Sequence, residues 1–102
     1  MVLLEFAMYP TDKGESVSNY VQRNLEIIDD SGLPYQLGPM GTCLEGEYDE
    51  VMAVVKACYD RMSEDCGRIA CTLKFDYRKG GSGRLKGKVD TLVRKTGRDL
   101  ST

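Results

Sequence analysis

The chain contains no histidine. Without an imidazole there can be no Ser-His or Cys-His nucleophile pair and no histidine-ligated metal. Any catalyst built on this sequence would have to use carboxylates, lysine, tyrosine or a thiolate. Closely spaced thiols are missing too: Cys43, Cys58, Cys66 and Cys71 form no C-x-x-C pair, whereas structural zinc sites draw on such pairs. The cysteines read as packed or half-exposed thiols. Cys58 falls on the apolar side of a predicted helix, where free cysteine acts as a small hydrophobe. The sequence therefore gives no reason to expect a metal or a cofactor. No apolar run approaches the roughly 20 residues of a membrane span. The segment Met1-Val2-Leu3-Leu4-Glu5 carries an acid and no basic lead, which makes a poor secretory signal. The expectation is a cytoplasmic protein with no membrane partner.

What is present suits one domain. The chain has 102 residues, of which 41% are hydrophobic, enough for one modest core. The net charge of -2 hides a split. Residues 1–78 hold seven basic residues against fourteen acids, and residues 79–102 hold seven against two. Such a tail can serve nucleic-acid binding; the plainer reading, which we favour, is a basic terminal helix docked on an acidic body, its own or a neighbour's.

Residues 2–9 alternate, with Val2, Leu4, Phe6 and Met8 on one face and Leu3, Glu5, Ala7 and Tyr9 on the other, the pattern of a half-buried strand. Val17, Tyr20, Val21, Leu25 and Ile28 then follow helical spacing, with Ser16 as the expected N-cap. Gly32 and Pro34 stop that helix. Residues 35–37 start a second strand, Gly38-Pro39-Met40-Gly41 forms a tight turn, and residues 42–45 return as a third. Glu47, Asp49 and Glu50 sit where a helix dipole favours negative charge, and Val51, Val54, Val55, Cys58 and Met62 form the apolar stripe of that helix. Residues 69–77 alternate as a fourth strand, with Ile69, Cys71, Leu73, Phe75 and Tyr77 expected on the core side. After the Gly-rich hinge beginning at Lys79, Leu85, Val89, Leu92 and Val93 suggest a terminal amphipathic helix.

This order predicts an α+β, ferredoxin-like βαββαβ domain over residues 1–78, with antiparallel strand order 4-1-3-2, followed by a hinge and basic helix over residues 79–102. Both main helices then cover one sheet face. The other face would present Leu3, Glu5, Ala7, Lys74 and Asp76, with Cys43 and Glu45 beside them and a Glu5–Lys74 pair across it. That mixture is suited to burial against a second copy. RNA-binding domains of this shape stack bases on aromatic residues of the two central strands. Here the third strand, Thr42-Cys43-Leu44-Glu45, offers none, so nucleic acid is not an expected partner of the sheet.

The stretches Leu4-Glu5-Phe6-Ala7-Met8-Tyr9-Pro10, Lys13-Gly14-Glu15-Ser16-Val17-Ser18, Ser31-Gly32-Leu33-Pro34-Tyr35 and above all residues 38–46, GPMGTCLEG, closely resemble the small thiamine-binding-protein family. They are also similar to the YkoF-type binders of thiamine and hydroxymethylpyrimidine. The resemblance spans about Val2 to Arg78. It implies a ferredoxin-like fold, homo-oligomers (commonly tetramers) built by sheet packing, and non-catalytic binding of thiamine or its pyrimidine precursor. For such a ligand Thr42 and Glu45 can offer polar contacts, Tyr9 an aromatic wall and Met40 an adaptable apolar one. Ser16 begins a helix whose amides could hold an anion. Each of these also has an ordinary structural use. Two further readings stay open at this level: an enzyme using Glu45 and Asp76 as acid and base, and an assembly or nucleic-acid module working through residues 84–98.

Overall fold

The computed structural model describes all 102 residues. The elements run β1 (Val2–Pro10), α1 (Ser18–Asp30), β2 (Tyr35–Leu37), β3 (Thr42–Gly46), α2 (Tyr48–Ser63), β4 (Ile69–Tyr77) and α3 (Arg84–Thr96). The four strands form one sheet in the order β2-β3-β1-β4, antiparallel at every pairing. This is the ferredoxin-like arrangement expected from the sequence, with an added terminal helix.

Alternation along β1 decides the core. Val2, Leu4, Phe6 and Met8 are buried beneath α1 and α2, and β3 places Leu44 opposite Leu4 and Thr42 opposite Phe6 on the same face. The α2 stripe of Val51, Val54, Val55, Cys58 and Met62 is buried throughout, and Ile28 closes the layer from α1. Burying side chains of this kind stabilises by about 1.5–3 kcal/mol each. At its start α2 is tied by the Glu47 amide donating to Glu50 Oε1 at 2.9 Å. The end of α1 turns through Gly32 at φ 77°, a conformation that costs glycine little. Arg23 in α1 grips Asp65, just beyond α2, with two hydrogen bonds of 2.9 and 3.1 Å.

Three expectations need correction. Ser16 does not cap α1: the residue preceding the helix is Val17, with no side-chain cap bond. Phe75 and Tyr77 do share the core face, since they pair with Leu4 and Val2, but they remain 52% and 62% exposed. Because β4 is an edge strand, its outer half is only partly covered, and Phe75 packs in a T-shaped pair with Tyr48 at the start of α2, at 6.1 Å between ring centroids. Finally, the face opposite α1 and α2 is not left bare. Helix α3 crosses part of it: the Arg84 amide donates to Glu45 Oε2 at 2.9 Å, and Arg84 and Lys88 both pair with Asp76. The basic terminal helix thus docks on its own acidic body. What stays uncovered is the half around Glu5, Ala7 and Lys74.

Candidate functional site

β1 is longer than its partner. It pairs with β3 only from Val2 to Phe6, while it pairs with β4 over its whole length. From Ala7 onward the β3 side of β1 therefore has no strand beside it. Buried backbone polar groups must still be satisfied, and α1 supplies one partner: Asn24, 5% exposed, donates from Nδ2 to the Met8 carbonyl at 2.9 Å.

The space left by the missing strand residues is a cavity of about 240 Å³, enclosed by the end of β1, the first turns of α1 and the β2–β3 hairpin. Phe6, Val17, Val21, Leu37, Pro39 and Met40 make most of its apolar wall. The hairpin bend is tight: the Gly38 amide donates to the Gly41 carbonyl at 2.8 Å. A Cβ added at Gly38 would lie 2.8 Å from that same oxygen, so the bend requires glycine. Met40 at its tip is 88% exposed.

Two buried polar side chains line this apolar space, Asn24 and Thr42 (5% and 6% exposed), with the half-exposed Tyr9 at its border. The fully buried side-chain polar atom without a partner is Arg23 Nε, far from here in role. Neither Asn24 Oδ1 nor Thr42 Oγ1 takes part in a hydrogen bond, and neither is sealed from solvent. Both atoms thus retain free hydrogen-bonding capacity beside the cavity. This is the composition of a small-molecule site: mostly apolar walls with a few convergent polar groups.

The structure separates the residues singled out from the sequence. Tyr9, Met40 and Thr42 border the cavity. Ser16 is exposed and lies outside it, its neighbour Val17 taking the place at the wall. Glu45 lies on the opposite sheet face, 5% exposed and held by the α3 amide. Leu3, Glu5, Lys74 and Asp76 are on that opposite face as well, and Ala7, though it alternates with them, also borders the cavity where β3 ends. Lys74 pairs with Glu5 at 3.4 Å, Cys43 donates to Glu5 at 3.5 Å, and Asp76 belongs to α3's docking. Asn24 was missed by sequence reading. Its signal was present, as a polar residue set between Val21 and Ile28 on the buried stripe of α1.

Elsewhere the chemistry is quiet. A wider hollow of about 680 Å³ runs along α3 past Arg78, Arg84 and Lys88, and two of these cations already pair with Asp76. Burial pushes all four thiols up, Cys58 to about 11, so they are protonated at neutral pH. No three Cys, Asp or Glu side chains gather as metal ligands. No helix is long and apolar enough to cross a membrane.

A one-sided α+β sandwich with an apolar cavity at the ragged end of its sheet is the class of protein defined so far. The comparisons narrow it: a family model described as thiamine-binding protein matches residues 4–93, and the chain belongs to that family. The match continues through most of α3, further than the resemblance seen in the sequence. The UPF0045 protein MT1949 of Mycobacterium tuberculosis is 35% identical over 94 residues, 91% of this chain and 92% of the relative. The UPF0045 protein MJ1052 of Methanocaldococcus jannaschii is 32% identical, and its crystal structure superposes with a TM-score of 0.82 over 89% of this chain and 94% of that one. The structure of TM0486 from Thermotoga maritima, named as a candidate thiamine biosynthesis/salvage protein, is 27% identical with a TM-score of 0.78 over 89% of this chain and 97% of that one.

Proposed function

We propose that this chain is a cytoplasmic, non-catalytic binding protein for thiamine or its hydroxymethylpyrimidine precursor, and that it works as a homo-oligomer. The ligand sits in the cavity between α1, the end of β1 and the β2–β3 hairpin. The observation that carries this reading is a largely apolar cavity lined by two buried polar residues, Asn24 and Thr42, whose Oδ1 and Oγ1 atoms make no hydrogen bond within the chain. Family membership supports the choice of vitamin, and the name of the Thermotoga neighbour agrees with it. Tyr9 and Met40 serve as wall and lid. Glu45 and Ser16 have no part in it.

The non-catalytic part of the reading is supported by where the carboxylates are. Glu45 and Asp76, the pair an acid–base enzyme would need, are engaged with α3 and lie across the sheet from the cavity. Self-association is supported by the uncovered half of that face, where Glu5, Ala7 and Lys74 alternate between polar and small; a tetramer would bury it. Calorimetric titration with thiamine and with hydroxymethylpyrimidine, beside a native-mass measurement, tests the proposal. Saturable heat and a multiple of the 11.4 kDa chain mass are expected. No heat and no thermal shift at millimolar ligand would remove it.

A further inference from the structure

We propose that the hollow between α3, the end of β4 and the glycine-rich hinge is a second ligand site, which binds a small phosphate-bearing molecule across Arg78, Arg84 and Lys88. It lies on the other side of the sheet from the apolar cavity and does not depend on what that cavity holds.

The helix leaves this space open. Arg84, Lys88 and Thr91 fall on one stripe of α3, four and seven residues apart, and Gly87 sits among them on the same wall. Glycine inside a helix is unfavourable, and packing does not call for it here, since a Cβ added at Gly87 would meet nothing within 4 Å. The missing side chain leaves bare backbone in the wall, the arrangement that lets a ligand come close. Gly81 in the hinge is different: its Cβ would lie 3.0 Å from Arg84 Cδ and 3.1 Å from Arg78 Cβ. Both arginine stems therefore pack against this one glycine.

Charge selects the class of ligand. Three cations and one carboxylate, Asp76, line the hollow, a net charge of +2. Asp76 leaves most of the donors free. Arg84 donates to it from Nη2 and to its carbonyl from Nη1, and Lys88 donates from Nζ; a guanidinium has five N–H donors and an ammonium three. Neither the Arg78 guanidinium nor the Ser82 hydroxyl has a partner within the chain. Glu45 accepts the Arg84 amide but is buried and does not line the hollow. Arg84 itself is 9% exposed, so one cation is fixed in place while Arg78 and Lys88 stand at the rim. A phosphate ester brings two negative charges and several acceptor oxygens, and arginine forks match those oxygens in pairs. A carboxylate would leave most of the donors idle. The volume of about 680 Å³ falls within the roughly 300–1,000 Å³ of small-molecule sites, which leaves room for an organic group beside the phosphate. The cations converge on one hollow rather than tracking a groove, which favours a small ligand over a nucleic-acid strand.

The test is calorimetric titration of the full chain with pyrophosphate, ribose 5-phosphate, acetate and a single-stranded oligonucleotide in about 0.15 M chloride. Saturable binding of both phosphates is expected, with acetate silent. Arg78→Gln, at an exposed position, should weaken ribose 5-phosphate about tenfold or more, and Arg78→Lys should restore part of the loss. Lys86→Gln makes the same change of charge on the same helix outside the hollow, and its effect should stay below about twofold. Gly87→Leu should raise the melting temperature, because leucine favours a helix, yet lower ribose 5-phosphate affinity about tenfold or more. A merely structural glycine would not separate these two readouts. Equal losses in Arg78→Gln and Lys86→Gln would reduce the effect to general charge and overturn the site. Undiminished affinity in Gly87→Leu overturns the placement of the ligand on that wall. Oligonucleotide binding with both small phosphates silent overturns the ligand class. Silence from every compound overturns the proposal and leaves the reading of the apolar cavity untouched.

Discussion

Glu45 Oε2 accepts the backbone N–H of Arg84 at 2.9 Å, so an acid in the centre of the sheet serves as the anchor for the first turn of α3. Carboxylates are favourable partners for the free amides and the positive end of a helix. Glu45→Ala should therefore loosen α3 at a cost of about 1.5–3 kcal/mol. Amide exchange should speed up through the first turns of α3, and protease should find the glycine-rich segment before Arg84. Ligand affinity should be unchanged. A ligand-binding role for Glu45 would show as the reverse pattern.

The same docking should respond to acid. Lys88 hydrogen-bonded to Asp76, with Arg84 beside it, holds the Asp76 carboxyl below the ordinary carboxylate range. A carboxyl with a lowered folded-state pKa contributes stability that is complete above its unfolded value, about 3.9. That contribution is lost as pH falls through the folded value. Protection factors of the α3 amides, corrected for the intrinsic pH dependence of exchange, should be flat from neutral pH down to about pH 5 and fall below about pH 4. Asp76→Asn should remove the acid response.

The hairpin bend tests the cavity from its other side. Gly38→Ala forces a Cβ to within 2.8 Å of the Gly41 oxygen, which the bend can relieve only by opening. The cost should be about 1–3 kcal/mol, and hydroxymethylpyrimidine affinity should fall roughly tenfold or more. The Asn24–Met8 hydrogen bond on the opposite wall should survive, as a crystal structure of the variant would show.

Two substitutions on one sheet face should separate core from edge. Leu44 is fully buried, and Leu44→Ala should destabilise by about 2–5 kcal/mol in chemical denaturation. Phe75 shares its face but is half exposed at the edge, so Phe75→Ala should cost below about 1 kcal/mol.

Much of this could be read from the sequence. The alternation of Val2, Leu4, Phe6 and Met8 and the helical stripe from Val51 to Met62 are decided by local periodicity, and together they imposed the sheet order. Periodicity tells which face a residue takes but not how far the covering layer reaches, which is why Phe75 and Tyr77 were placed in a core that ends before them. The cavity was only half legible. Met40 and Thr42 could be placed beside it because the hairpin is local. Asn24 was hidden because its task depends on β3 stopping opposite Phe6, a long-range fact about strand lengths. The anchoring role of Glu45 was hidden for a related reason: its partner is an amide 39 positions away, beyond a hinge whose docking no local pattern specifies.

The most direct test is a backbone amide shift titration of the full chain with hydroxymethylpyrimidine, since the account stands on the cavity beside the hairpin as the place of binding. The largest shifts should fall on residues 38–42, on Asn24 and on Met8, while Glu45, Asp76 and Arg84 stay unmoved. Shifts concentrated at Glu45, Asp76 and Arg84, with the hairpin silent, would put the ligand on the other side of the sheet and contradict it.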